Sequence, residues 1–118
     1  MIIECCSKNL EKVIGNEHCY VKVFGKNLAK KLCQRLYEIQ ASDSLATLKT
    51  LPAPRLHSLT GNLKGYWAVD LIYPFRLVLS PVLPDDFDPA RPDYSIISKV
   101  MLKGVCNYHD SKVEWLCR

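Results

Sequence analysis

The sequence contains three histidines, His18, His57 and His109, whose side chains can exchange a proton near neutral pH. An unperturbed imidazole has a pKa of about 6.5, so one histidine can remove a proton while another donates one. Arg76 offers a permanent positive charge and a planar array of N–H donors that suits an oxyanion. Tyr108 can stack on a ring or donate a hydrogen bond. These residue types suit acid–base chemistry on an anionic substrate without a metal ion.

The alternation of side chains along a strand ranks the candidates near the end of the chain. On a regular final strand, Asn107 and His109 share one face, whereas Cys106 and Tyr108 share the other. Tyr108 and His109 therefore do not both face one groove without a twist or bulge, and we rank His109 first. His18 lacks such neighbours and is interpreted as a surface residue.

The elements that position these groups begin with a strand and helices. The apolar opening 1–7 predicts a strand, and Ser7 predicts the start of a helix. Across 26–40 apolar residues recur at three- and four-residue spacing, which indicates an amphipathic helix. The run Ser42-Asp43-Ser44 is typical of a helix cap and precedes a further short segment, 45–51. The opposite face of the long helix is expected to be solvated and consists of Lys26, Lys30, Lys31, Gln34, Arg35 and Glu38.

The second half of the sequence predicts a sheet. The runs 66–72 and 75–79 are rich in β-branched and aromatic residues and are divided by a Tyr-Pro pair, as in an antiparallel hairpin. Four prolines and four aspartates make 81–95 a long acidic loop. Strand character returns across 96–105, with a bulge or close approach at Gly104, and a short tail ends the chain.

This order of elements predicts the α+β class, with helices packed on one face of a mainly antiparallel sheet. A length of 118 residues suits a single domain spanning 1–118. No apolar run approaches the roughly 20 residues of a membrane span, and no secretory leader is visible. We therefore expect a cytoplasmic protein that does not enter a membrane.

The six cysteines are interpreted as reduced structural thiols, because an export signal is lacking and no Cys-x-x-Cys pair occurs. The net charge of +4 is unevenly distributed. Residues 1–80 hold eleven Lys/Arg against six Asp/Glu, whereas 81–95 hold one arginine against four aspartates. A basic body suits a polyanion such as RNA, although charge of this size is also common on solvated surfaces.

The segment 54–69, PRLHSLTGNLKGYWAV, resembles the HigB-like killer proteins of toxin–antitoxin systems, a branch of the RelE/ParE superfamily. The same family has an aromatic-Arg-aliphatic strand, as in FRL at 75–77, and ends in an Asp-Tyr-His-like motif, as in NYH at 107–109. The sequence departs from the family pattern where Asn107 replaces a common Asp and Thr60 replaces a common basic residue. The resemblance implies a RelE-like fold, with helices on a curved antiparallel sheet that holds messenger RNA on or near the ribosome.

The resemblance also implies roles for individual residues. His57, Arg76, Tyr108 and His109 match the catalytic positions of the family, and Arg55, Lys64 and Asn107 match positions that face the RNA. Cleavage through the RNA 2′-hydroxyl requires a base, an acid and a cation. His57 and His109 are expected to be the base and the acid, in an order that the sequence leaves open, and Arg76 is expected to stabilise the charged phosphate.

The resemblance therefore predicts a toxin that is a metal-independent endoribonuclease and needs no cofactor. Its expected partners are a HigA-like helix-turn-helix antitoxin, messenger RNA and the ribosome, with operator DNA reached only through the antitoxin. Two alternatives remain open. One is a non-enzymatic ParE-like toxin that binds a protein such as DNA gyrase, and the other is a degenerate, non-toxic relative. The first alternative does not require the histidines, and the second is suggested by Asn107 and Thr60.

Overall fold

The computed structural model describes residues 1–109 and 112–118, apart from the side chains of Glu17, Cys19, Tyr108 and His109. Within these ranges the chain is α+β, which confirms the predicted class. Its helices are α1 (Lys8–Ile14), α2 (Glu17–Phe24), α3 (Lys26–Ala41) and α4 (Leu45–Thr50). Its strands are β1 (Ile2–Cys5), β2 (His57–Ser58), β3 (Trp67–Asp70), β4 (Phe75–Pro81), β5 (Lys99–His109) and β6 (Lys112–Cys117).

Serine side chains begin two helices at the positions that the sequence predicts. Ser7 Oγ accepts a hydrogen bond from the Leu10 N–H at 3.1 Å, and Ser44 Oγ accepts one from the Thr47 N–H at 3.3 Å. Each bond satisfies an N–H group that has no partner within its helix. α2 lies between the helix that begins after Ser7 and the predicted long helix α3. Among the helices described, none has the length and apolar character needed to cross a membrane.

The long helix α3 buries its predicted apolar face but also one charged residue of the face expected to be solvated. Arg35 is only 5% exposed, so its assignment to the solvated face is wrong. Its guanidinium donates to Glu38 Oε1 at 2.7 Å and to two backbone carbonyls, those of Asp70 at 2.6 Å and Ala53 at 3.1 Å. A buried charge is tolerated when it is paired and hydrogen-bonded in this way.

The sheet has the order β1–β5–β4–β3–β2. β1 pairs in parallel with the first part of β5, and β6 pairs in antiparallel with its last part. The remaining pairs are antiparallel, so the mainly antiparallel sheet is confirmed. The predicted hairpin is β3 and β4, in which Asp70 lies opposite Arg76. β6 occupies the segment expected to be only a tail.

The sheet is covered on both faces. On the helix face, side chains such as Val69, Leu77 and Val105 pack against the helices in the main core. The outer face, turned away from the helices, carries Ala68, Val78 and Cys106. These three pack in a second, smaller cluster with Leu59, Leu63, Tyr66, Val113 and Trp115.

Gly104 lies where the sequence predicts a close approach of two backbones. Its φ is +148°, and a Cβ built there would lie 2.3 Å from the backbone oxygen of Cys117. The pairing of β4 with β5 also shifts register between Val78 and Leu79, so the predicted irregularity is confirmed. Glycine, which has no Cβ, lets the end of β6 lie this close to β5.

The acidic stretch 81–95 is a loop for most of its length, as predicted, although β4 extends through Pro81 and a 3₁₀ turn covers Tyr94–Ile96. Phe87 and Tyr94 pack against the main core. The Tyr94 ring meets the Trp67 ring edge-on at 5.5 Å between centroids, so Trp67 is a partly buried core residue. The loop is thereby anchored on the helix face.

Five cysteines in the described part of the chain are free thiols. Cys106 and Cys117 are buried, Cys5 is half-buried, and Cys6 and Cys33 are exposed. Burial raises the pKa of the Cys5, Cys106 and Cys117 thiols. A raised pKa disfavours the reactive thiolate, so these three thiols act as packing groups.

Candidate functional site

His57 and Arg76 lie in one cleft of about 180 Å³ on the outer face. The strands β2, β3 and β4 are neighbours in the sheet, and His57 lies opposite Ala68, which in turn lies opposite Val78. Arg76 is two residues from Val78 on the same face. The cleft is lined by Arg55, His57, Ser58, Leu59, Thr60 and Arg76.

The His57 imidazole is held by one hydrogen bond to the backbone. Its Nδ1 lies 2.7 Å from the carbonyl oxygen of Arg55. Because a carbonyl oxygen only accepts, Nδ1 must carry the hydrogen, and Nε2 of the neutral ring then has a lone pair. Nε2 is buried and makes no hydrogen bond to any described residue. The lone pair of His57 Nε2 is therefore buried in this structure and has no protein partner in that part of the chain.

Arg55 forms an ion pair that the sequence does not predict. Its Nε and an Nη atom donate to the two carboxylate oxygens of Asp70, at 2.5 and 3.1 Å. The hydrogen bonds from Arg55 and the negative charge of Asp70 raise the pKa of the guanidinium. Asp70 Oδ1 also lies 3.9 Å from Arg76 Nε. One carboxylate thus attracts both guanidinium groups of the cleft.

The backbone around Asp70 is fixed by the buried Arg35. Arg35 donates to the carbonyls of Asp70 and Ala53, and the Asp70 N–H donates to the Pro54 carbonyl at 2.8 Å. These bonds tie the end of β3 to the segment that leads into Arg55. Arg55 itself has a φ of +49°, a left-handed conformation that is uncommon outside glycine. The backbone geometry of the cleft therefore depends on Arg35, which lies on α3 and does not line the cleft.

Two further predicted residues lie away from this cleft lining. Lys64 is exposed and follows the 3₁₀ turn Gly61–Leu63. Asn107 lies opposite Phe75, on the helix face, whereas Arg76 lies opposite Cys106 on the outer face. Asn107 Oδ1 is buried without a hydrogen-bond partner among the residues described. Thr60 does line the cleft, as a neutral side chain.

The side chains of the predicted catalytic residues Tyr108 and His109 lie outside the part of the chain that the structure describes. The backbone of both residues belongs to β5 and pairs with β6, opposite Val113 and Lys112. Their proposed roles therefore remain predictions from the sequence.

The described side chains of the cleft combine a proton acceptor with two guanidinium groups, which suits an oxyanion next to an acidic hydrogen. Within the described ranges, no three His, Cys, Asp or Glu side chains cluster as a metal site requires. No protein-family model, curated protein or solved structure matches the chain. A proposal for the function of this protein therefore depends on the residues of the cleft and on the motifs that contain them.

Proposed function

We propose that this protein is the toxin of a type II toxin–antitoxin system, HigB-like within the RelE/ParE superfamily, and that it cleaves messenger RNA. The observation that carries the proposal is a single cleft in which the proton-accepting His57 lies with Arg55 and Arg76. The motif at 54–69 supports it from the sequence. A RelE-like arrangement of the observed helices and sheet, and a cytoplasmic location, belong to the same proposal.

In the proposed reaction His57 is the base, because its Nδ1 hydrogen bond leaves the lone pair on Nε2. Once the His57 side chain moves far enough to uncover it, Nε2 accepts the proton of an RNA 2′-hydroxyl, whose oxygen forms a bond to the adjacent phosphorus. Arg76 stabilises the charge that grows on the non-bridging oxygens. The bond to the 5′-oxygen breaks, and His109 donates a proton to that oxygen, which requires a twist at the end of β5 because a regular strand puts His109 on the face of Asn107. The products are a 2′,3′-cyclic phosphate and a 5′-hydroxyl.

Three of the remaining predicted residues bind the RNA in this proposal. Arg55 and Lys64 contact phosphates, and Tyr108 stacks on a base or donates a hydrogen bond. Asn107, which the resemblance also assigns to the RNA, lies on the helix face and is left out of this contact. Neither a metal ion nor another cofactor takes part. The proposed partners are a HigA-like helix-turn-helix antitoxin and the ribosome, and operator DNA is reached only through the antitoxin.

The test is expression of the wild type and of His57→Ala and Arg76→Ala in a bacterial host, with growth scored and transcript ends mapped. The wild type is expected to arrest growth and to leave new 5′-hydroxyl ends. Loss of a general base lowers the cleavage rate by about 10²- to 10⁴-fold, so His57→Ala should relieve the arrest. His18→Ala, at an exposed histidine of α2, is the matched control. Normal growth and intact transcripts with the wild type would overturn the proposal.

A ParE-like toxin that binds a protein target is the second candidate, and one observation favours it. Asp70 pairs with Arg55 and lies near Arg76, which reduces the positive charge that the cleft offers to RNA. A double variant, His57→Ala with His109→Ala, separates the two candidates. Toxicity is lost if the protein cleaves RNA and is retained if it only binds a target.

A further inference from the structure

A second groove lies on the helix face and is unrelated to the cleft. It has a volume of about 230 Å³ and runs between the start of β3, the end of β4 and the acidic loop. The residues that line it carry apolar or aromatic side chains, and Leu83 among them is 53% exposed. The lining residues are Gly65, Trp67, Pro81, Leu83, Phe87, Pro89, Pro92, Tyr94 and Ile97.

The aromatic rings of this groove already attract a cation. Lys49 Nζ, from α4, lies 5.5 Å from the centroid of the Trp67 ring and 4.9 Å from that of Tyr94. The negative face of an aromatic ring favours a positive charge at such distances. The Phe87 ring, 6.5 Å from Tyr94, extends the same surface. An ammonium or guanidinium group supplied from outside would meet the same attraction.

Exposed aspartates adjoin lining residues of the groove in the sequence. Asp86 and Asp88 flank Phe87, Asp93 precedes Tyr94, and Asp85 lies one residue further from the lining. All four aspartates are exposed, and Arg91 is the single opposing charge of the loop. The aspartates therefore attract cations and repel phosphates, although the protein as a whole carries a charge of +4.

We infer that this groove docks an extended segment of another protein in which Lys or Arg residues stand beside an apolar or proline side chain. Aromatic-lined grooves bind extended, proline-containing segments, and nearby carboxylates favour segments that also carry basic side chains. A volume of about 230 Å³ lies below the roughly 300–1,000 Å³ of small-molecule pockets, so it fits one or two side chains better than a cofactor. The nearby aspartates disfavour a nucleic acid.

The probe for this inference is a synthetic nonapeptide in which lysines alternate with leucine and proline, titrated into the ¹⁵N-labelled protein. The two tryptophans give an internal comparison, because Trp67 lines the groove and Trp115 packs on the outer face. The indole N–H signal of Trp67 is expected to shift and that of Trp115 to stay. A peptide with glutamate in place of lysine is expected not to bind.

Variants separate the effect of the aspartates from that of the apolar groove. Asp86→Asn with Asp88→Asn is expected to weaken binding about three- to tenfold, since two exposed charge pairs are lost. Lys49→Gln is expected to strengthen it, because a competing cation leaves the rings. Glu11→Gln with Glu114→Gln removes the same charge from exposed residues of α1 and β6 and should change nothing.

Leu83→Ser, at the exposed leucine of the groove, should also weaken binding of the lysine peptide. Three results would each overturn the inference. These are equal binding of the glutamate peptide, an equal shift of the Trp115 signal, and an unchanged affinity in the Asp86, Asp88 double variant. None of these measurements depends on toxicity or RNA cleavage, so failure here is distinguishable from failure of the proposed function.

Discussion

Asp70 interacts with the two arginine side chains that would bind an RNA phosphate in the cleft. Its carboxylate binds Arg55 through two hydrogen bonds and lies 3.9 Å from Arg76. A phosphate entering the cleft must therefore compete with a carboxylate for the same donors, since both anions are suited to bidentate pairing with Arg. The sequence does not single out Asp70, because this residue matters only through the register that places it opposite Arg76.

Asp70→Asn is expected to increase the affinity of the protein for single-stranded RNA about three- to tenfold, because it removes a negative charge that competes with the phosphate. An exposed ion pair contributes about 0.2–1 kcal/mol, and a half-buried pair somewhat more. The salt dependence should steepen by about 0.7 for each additional phosphate that the arginines neutralise. Binding is measured in a His57→Ala background, so that the RNA is not cleaved. Asp43→Asn, at an exposed residue after α3, is the control. Weaker binding would show instead that Asp70 serves only to position the arginines.

At the scale of elements, Gly104 allows β6 to complete the sheet. A methyl group there would meet the backbone oxygen of Cys117, which cannot move without shifting β6. Gly65 offers a matched comparison, since its φ is +95° and a Cβ there would have no neighbour within 4 Å.

Gly104→Ala is expected to lower the free energy of unfolding by about 3 kcal/mol or more, as steric overlap adds to backbone strain. Gly65→Ala should cost about 1–2 kcal/mol, from strain alone. Urea denaturation of the two variants measures the difference. Equal destabilisation would mean that β6 is held too loosely for the overlap to matter.

The elements that the sequence predicts well are those specified by nearby residues. The Ser7 and Ser44 caps, the apolar face of α3 and the β3–β4 hairpin all depend on short-range patterns. The sequence analysis does not predict the short strand β2, so the meeting of His57 with Arg76 becomes clear only from the structure, in which β2, β3 and β4 are neighbours.

The features that the sequence does not predict depend on distant partners. Arg35 looks solvated on a helical wheel, and its burial is explained only by the carbonyls of Ala53 and Asp70. The sequence indicates only a tail where β6 lies, although Lys112–Cys117 alternates exposed and buried residues as a strand does. The resemblance groups Asn107 with the RNA-facing residues, but its register places it on the helix face.

At the scale of the whole molecule, the acidic loop and the candidate cleft belong to different faces of the sheet. Arg76 is the second residue of β4 and Pro81 is its last, so the loop begins about 17 Å further along the strand. The aromatic anchors of the loop pack on the helix face, whereas Arg76 is on the outer face. A separation greater than the Debye length of about 8 Å at physiological salt leaves little repulsion between the loop and RNA in the cleft.

Neutralising the loop should therefore leave RNA cleavage almost unchanged. Asp86→Asn with Asp88→Asn is expected to alter the cleavage rate less than about twofold at physiological salt, because the interaction is screened. Removing two positive charges, with Arg55→Gln in the cleft and Lys64→Gln outside its lining, should instead lower the cleavage rate at subsaturating RNA at least about tenfold, because lost phosphate contacts weaken RNA binding. Rates are compared at low and physiological salt on one short RNA. A large gain in cleavage by the aspartate variant at physiological salt would place the loop over the cleft, contrary to the strand order.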